Sequence, residues 1–316
     1  MHLLRRLSAT FCLLWSLAPV VSPGDTVSAS VSPKASGELP SCVWKIKGSK
    51  NTVYIAGSVH LLRQEDYPLP AAYDIAYLDS DRLYFEIDMA EISSPETMSK
   101  MQQLGMYSAK DSLRRHVSAG TFKLLTSYLT SRGLPTLLFE KMKPGLLAIN
   151  LSSMEALRMG ARPDLGLEVK FHQKALKDGK PSGGLETVEF QVTLFDKLND
   201  REQDRMLRAT LEKIEEMQQT LRDLIAAWKK GDIKTMDTLL NEEFKEDPNL
   251  KNILINKRNQ SWIPEIEKAF LGSENVIFIV GAGHLVGKGS VIELLEQRGY
   301  VPLQMTSPAA KPVAVK

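Results

Sequence analysis

The amino-acid sequence predicts an α/β (α+β) fold, in which a central sheet carries strand-end Gly-x-x-His motifs and a large helical section occupies the middle of the chain. Two apolar runs, Thr52-Val53-Tyr54-Ile55-Ala56 and Val276-Ile277-Phe278-Ile279-Val280, lie far apart, and each gives way to a glycine turn and a histidine. A third run, Leu83-Tyr84-Phe85-Glu86-Ile87, has the same β-branched and aromatic character, which suits a buried pleated surface. From about Asp111 to Leu271, apolar residues instead recur at helical spacing, as in Phe122-Leu125-Leu129 and Leu207-Leu211-Ile214-Met217-Leu221-Leu224.

At the amino terminus, Met1-His2-Leu3-Leu4-Arg5-Arg6 is basic and Leu7 to Val21 is mostly apolar, so residues 1–24 read as a secretory signal peptide. The apolar stretch is interrupted by Ser8, Thr10 and Ser16 and falls short of the about 20 residues that a spanning helix needs. Cleavage, no stable membrane span afterwards, and a periplasmic or secreted location are therefore expected. Residues 25–41 are rich in Ser, Pro, Gly, Ala and Val and read as a disordered linker, residues 306–316 as a similar tail, and residues 42–305 as one folded domain. Cys12 falls in the signal segment, so the mature chain keeps Cys42 alone; a buried small residue is the plainer reading of a lone thiol. Net charge is +2, with the basic residues spread along the chain, and no nucleic-acid partner is expected.

The strand at Thr52 to Ala56 is bounded by Asn51 and Gly57, and a helix is expected to begin between Asp66 and Ala76, after Pro68 and Pro70. In the next strand Glu86 stands between apolar neighbours, where a carboxylate is costly unless paired. Asp88, Glu91 and Glu96 read as a polar, turn-like continuation. Gly179 to Thr187 is rich in turn residues, with room for a short strand carrying Glu186. After the strand at Val276, a tight turn over Gly281-Ala282-Gly283-His284, a helix from Val291 to Arg298 capped by Gly299, and a short strand at Tyr300-Val301-Pro302-Leu303 make a β-α-β unit.

The recurrence of strand, Gly-x-x and His, first at Gly57-Ser58-Val59-His60 and again at Gly281-Ala282-Gly283-His284, is the main functional signal. Ligands collect outside the carboxyl ends of strands in open α/β sheets, and a glycine lets the chain turn sharply there. Two imidazoles and a carboxylate can hold a divalent ion and leave a position for water, so His60, Glu86 and His284 are the candidate catalytic and metal residues. Glu86 reads equally as third ligand or as base; its structural alternative is a buried salt bridge with Arg82 or Arg258. His116 and His172 lie in polar, helical contexts and read as surface positions. Neither nucleotide-binding glycine fingerprint fits the turn at Gly281, and the zinc-protease helix and serine-hydrolase elbow motifs are absent from the sequence.

These residues resemble the TraB/GumN (PrgY) family, which is related to the TIKI metalloproteases and more distantly to the ChaN and erythromycin-esterase-like proteins. The resemblance runs from Cys42 to Leu303. It is carried by Val53-Tyr54-Ile55-Ala56-Gly57-Ser58-Val59-His60-Leu61-Leu62, Phe85-Glu86, Gly166-Leu167-Glu168, Leu185-Glu186-Thr187, Arg258-Asn259 with Trp262, and Gly281-Ala282-Gly283-His284-Leu285. It implies a metal-dependent hydrolase of the TIKI kind acting on a peptide or protein, with manganese or cobalt favoured and zinc possible as the ion. It also implies that Arg258 and Asn259 face the same pocket as substrate-binding or oxyanion residues. The family usually has Asp where this chain has Glu168. Two other readings stay open: a metal-independent, esterase-like hydrolase, and a noncatalytic peptide- or pheromone-binding protein.

Overall fold

The structure, a computed structural model, describes residues 38–308 apart from 93 and 246. The expected signal segment, the linker up to residue 37 and the tail from residue 309 lie outside the described residues.

Six strands form one sheet. They are β1 (Glu38–Lys47), β2 (Thr52–Ser58), β3 (Arg82–Ile87), β4 (Ser182–Glu186), β5 (Val276–Gly281) and β6 (Leu303–Pro308), in the spatial order β4-β3-β5-β2-β1-β6. β4, β3, β5 and β2 run parallel, while β1 is antiparallel to both β2 and β6. The two apolar runs that flank the chain become the neighbouring central strands β2 and β5, paired Val53 with Val276 through Ser58 with Gly281. Every residue of both is buried, which is why they read as unbroken apolar runs rather than as alternating ones.

The ends of the domain reach beyond the expected limits. β1 starts at Glu38, inside the stretch read as linker, and β6 extends to Pro308, past the short strand expected at Tyr300 to Leu303. The pairing of Glu38 with Pro308 ties these two segments together; neither could form a strand alone, so neither carries a strong local signal.

Around the sheet lie α1 (Ala71–Asp79), α2 (Pro95–Gly105), α3 (Ala119–Ser131), α4 (Pro144–Arg158), α5 (Leu167–Asp178), α6 (Val188–Thr193), α7 (Asp200–Lys213), α8 (Met217–Lys229), α9 (Ile233–Phe244), α10 (Lys257–Leu271) and α11 (Val291–Glu296). α2 occupies what reads in sequence as a polar continuation. Ser94 caps it by accepting from the Thr97 N–H, and Pro95 fills the first turn, where its missing N–H costs nothing. The run from Leu207 to Leu224 is divided between α7 and α8 by a turn, with all six apolar positions buried.

Two apolar cores result. One joins the sheet to Tyr73, Phe171, Trp228, Met236, Trp262 and Leu295. The other lies within the helical middle, around Leu125, Leu129, Leu147, Leu151, Leu207 and Leu211. Burying each such aliphatic side chain contributes about 1.5–3 kcal/mol.

Candidate functional site

The carboxyl ends of the four parallel strands stand side by side, and the residues they present follow the strand order. Glu186 closes β4, Glu86 lies near the end of β3, His284 follows β5 and His60 follows β2. Two helices bring the complementary groups: α10 carries Arg258 and Asn259, and the first turn of α5 carries Glu168.

Glu86 is buried at the centre of this edge. One carboxylate oxygen accepts from the Gly281 N–H at 2.6 Å, and the other accepts from Arg258 Nη2 at 2.6 Å and Gln191 Nε2 at 3.3 Å. Burial alone would raise its pKa; Arg258, with lesser help from His284, His60 and the Gly281 N–H, overrides this and holds it down at about 2. The structural alternative of a buried salt bridge is therefore realised with Arg258. Arg82 instead pairs with Glu274 near the surface, at 3.1 Å.

Arg258 is 1% exposed. Its Nε donates to both Glu186 oxygens, at 3.1 and 3.0 Å, and Nη2 donates to Glu186 at 2.8 Å as well as to Glu86. Nη1 donates to the Leu254 carbonyl at 3.2 Å and faces His284 Nε2 at 3.1 Å. A guanidinium has five N–H donors, and these contacts use them all. Arg258 thus has no donor left for an oxyanion or a substrate carboxylate in this arrangement. Leu254 lies in a π-helical turn, Asn252–Asn256, immediately before α10; such turns disturb helical register and are frequent at functional sites.

Asn259 is equally committed. Its Oδ1 accepts from His284 Nδ1 at 2.6 Å, while its Nδ2 donates to the carbonyls of His284 at 3.3 Å and Gly289 at 2.7 Å. His284 is therefore protonated on Nδ1 and turns its Nε2 lone pair toward Arg258. Burial, then the Arg258 charge, push its pKa down to about 3, so the imidazole is neutral. Trp262 packs on this ring with centroids 4.5 Å apart.

His60 has different company. Its Nδ1 lies 2.7 Å from Glu168 Oε1, and Ser58 Oγ donates to the same oxygen. Burial works against protonation, but Glu168, and more weakly Glu86, outweigh it and raise the pKa above the usual 6.5. Nε2 is buried and makes no hydrogen bond among the described residues. The side chain is 11% exposed, against 0% for His284, so His60 is the outermost imidazole of the centre. Local structure builds this arrangement. Tyr73 Oη and Trp228 Nε1 donate to the Gly57 carbonyl at 2.6 and 2.8 Å and fix the end of β2. Gly166 lies so close beneath the turn that a Cβ there would collide with the His60 carbonyl, and the Leu167 N–H donates to the Val59 carbonyl at 3.1 Å. The glycine of Gly166-Leu167-Glu168 thus permits the contact that the glutamate completes.

Glu168, Glu186 and Gln191 are the members of the centre that residue-by-residue reading did not single out. Glu168 and Glu186 stand in the quoted Gly-Leu-Glu and Leu-Glu-Thr elements, and Glu186 also on the short strand expected within Gly179 to Thr187, the observed β4; Gln191, on the short helix α6, had no signal. The remaining histidines lie outside. His116 bridges Asp111 at 2.9 Å and Asp200 at 3.0 Å near the surface. His172, expected at the surface, instead packs edge-on against Phe85 with ring centroids 6.1 Å apart. Cys42 is fully buried, consistent with a small core residue.

A divalent ion at His60, Glu86 and His284 would need lone pairs from all three. His60 Nε2 fits that need, with Nδ1 oriented by a carboxylate as metal-bound imidazoles usually are. His284 does not, because the one lone pair of its Nε2 faces Arg258, and the Glu86 oxygen on that side accepts from Arg258 and Gln191 while the other accepts from the Gly281 N–H. Among the described residues no group of three or more His, Cys, Asp or Glu side chains is arranged to hold an ion. No described helix is long and apolar enough to cross a membrane.

The chain is 23% identical over 345 residues to a protein named Metalloprotease TIKI2 from Danio rerio, covering 92% of this chain and 66% of the relative. It is 26% identical over 347 residues to Metalloprotease TIKI1 from Homo sapiens, with the same 92% and 66% coverage, so it spans just under two thirds of these relatives. It is also 23% identical over 242 residues to the YbaP protein of Escherichia coli, covering 77% of this chain and 87% of that one. No solved structure matches the chain. The TraB/PrgY/gumN family model matches residues 42–303, a span that contains every residue of the centre, and the chain belongs to that family.

Proposed function

We propose that this chain is an exported hydrolase of peptide or protein substrates, acting in the periplasm or outside the cell, with His60 as the group that meets the reacting water. The observation that carries this reading is the state of His60: Nδ1 is fixed by Glu168, while the buried Nε2 has no partner. Leaving such an atom unpaired costs about 1–3 kcal/mol, and a reacting water beside the scissile carbonyl would satisfy it.

In this mechanism neutral His60 accepts a proton from water at Nε2 as the water oxygen bonds to the carbonyl carbon. The C–N bond then breaks, and the same proton passes to the leaving nitrogen. Glu168 orients the ring and stabilises the imidazolium formed between the two transfers. Glu86, Arg258, Glu186, Asn259 and His284 form a rigid, internally satisfied wall beside it; Arg258 and Asn259 are positioning residues here rather than substrate contacts. The relatives are named metalloproteases, which favours a divalent ion; manganese or cobalt ahead of zinc is the choice that the family resemblance implies. A bound ion would supply an activated water at His60, and no step is assigned to it because Glu86 and His284 are already occupied by Arg258.

The reading is tested by incubating the mature protein with a quenched-fluorescent peptide library, with and without manganese or cobalt, beside His60→Ala. We expect cleavage by the wild type alone, rising with pH through the raised pKa of His60. Circular dichroism establishes that the variant is folded. Undiminished cleavage by folded His60→Ala, or none by the wild type under any of these conditions, would overturn it.

A further inference from the structure

We infer that Arg258 is the resident cation of this centre, and that the Glu86 and His284 pair is consequently not a metal site in the wild-type chain but a latent one. The inference rests on how one guanidinium spans two would-be ligands. Its Nη2 lies 2.6 Å from a Glu86 oxygen, and its Nη1 lies 3.1 Å from His284 Nε2, the atoms that would coordinate an ion shared by this pair. The second Glu86 oxygen accepts from the Gly281 N–H at 2.6 Å. Direct contact between the pair is only 3.8 Å, so the cation between them is what holds the two together.

The guanidinium cannot simply move aside. Glu186 grips it through two nitrogens, Leu254 takes a third contact, and the Trp262 ring lies 5.0 Å from it. Gln191 Nε2 donates to both carboxylates, at 3.3 Å to Glu86 and 3.1 Å to Glu186, and so fixes their spacing. Two carboxylates face one cation, which is the charge pattern of an ion site in which a planar, permanently charged side chain stands where the ion would. An arriving ion would have to displace a buried charge that both of its carboxylates already hold. Any ion this protein takes up should therefore engage His60, whose Nε2 is open, without His284.

The test uses the mature full chain labelled with 15N-histidine and titrated with zinc. We expect the His284 Nε2 resonance to stay where a hydrogen-bond acceptor lies at saturating zinc, whether or not His60 responds. A move of that resonance into the metal-bound range in the wild type would overturn the inference, and this arm needs no variant to fold. In the second arm, Arg258→Met combined with Glu186→Gln removes the cation and one carboxylate together. We expect the double variant to take up one zinc with an affinity about ten-fold or more above that of the wild type, now shifting His284 Nε2. A folded double variant whose His284 resonance does not respond would show that the guanidinium holds no ion's place. Both readouts are independent of peptide cleavage, so they separate this inference from the proposed function.

Discussion

His60 and His284 stand in similar local settings, each three residues after a glycine in the last two positions of an apolar parallel strand, yet they finish in opposite electrostatic states. The helix beneath His60 offers a carboxylate, Glu168, to Nδ1, and the imidazole gains affinity for a proton. The helix beside His284 offers a neutral amide to Nδ1 and a guanidinium to Nε2, and the imidazole is held neutral. A repeated motif therefore fixes where a ring is placed, while the group packed against it fixes what that ring can do. One half of the edge keeps an unpaired ring nitrogen among the described residues, and the other spends its polar atoms on internal order.

The largest expected effect comes from removing the cation that orders the second half. Arg258→Met leaves Glu86 and Glu186 buried without their partner, and breaking a buried pair from one side typically costs about 3–5 kcal/mol. Urea unfolding should show a loss of that size. A loss below about 1 kcal/mol would mean that the carboxylates find other partners and that the two halves are less different than their contacts suggest.

Acid should separate the halves next. The His284 pKa falls from 6.5 to about 3 on folding and that of Glu86 from 4.5 to about 2. In each case the unfolded chain binds the proton first, so stability is lost as pH falls, from 6.5 toward 3 for His284 and from 4.5 toward 2 for Glu86. His60 has the opposite sign: its folded pKa is raised, so its contribution is complete below 6.5 and disappears as pH rises through the folded value. Urea midpoints measured across this range should therefore drop in acid. A midpoint that stays level down to pH 3 would contradict the neutral state of His284.

Glu168→Gln gives a smaller and more local change. The amide can still accept a hydrogen bond but cannot hold a proton on the ring, so the His60 pKa should fall, while that of His284, which the His60 charge helps to lower, should not fall with it. Histidine NMR titration reads both rings at once, and an equal fall at both would contradict the separate environments of the two rings. The cost in stability should be about 1–3 kcal/mol, the range for disturbing a charged hydrogen bond.

Much of this was legible in the chain because parallel central strands advertise themselves. The runs that become β2 and β5 are apolar on both faces, and their glycine turns put His60 and His284 at one edge. Glu86 was legible as an anomaly, an acid in an apolar strand that required a partner. The partner itself was not: Arg82 is four residues away and Arg258 lies 172 residues on, and nothing local distinguishes a distant arginine that reaches the edge from one that faces water. β1 was missed, and the last strand was expected at Tyr300 to Leu303 ahead of the observed Leu303–Pro308, for a related reason, since their pairing joins residues near the two ends of the domain.

The sequence by itself determined the central parallel strands, the helical middle and the three residues around which the edge is built, because apolar periodicity and strand-end glycines act over a few neighbouring residues. Only the tertiary structure decided that Glu168 serves His60, that Arg258 binds Glu86, Glu186 and His284 together, and that Asn259 sets the His284 tautomer. Those outcomes depend on which charges meet in a buried, weakly screened space, where a contact of under 3 Å outweighs the intrinsic preference of an isolated side chain.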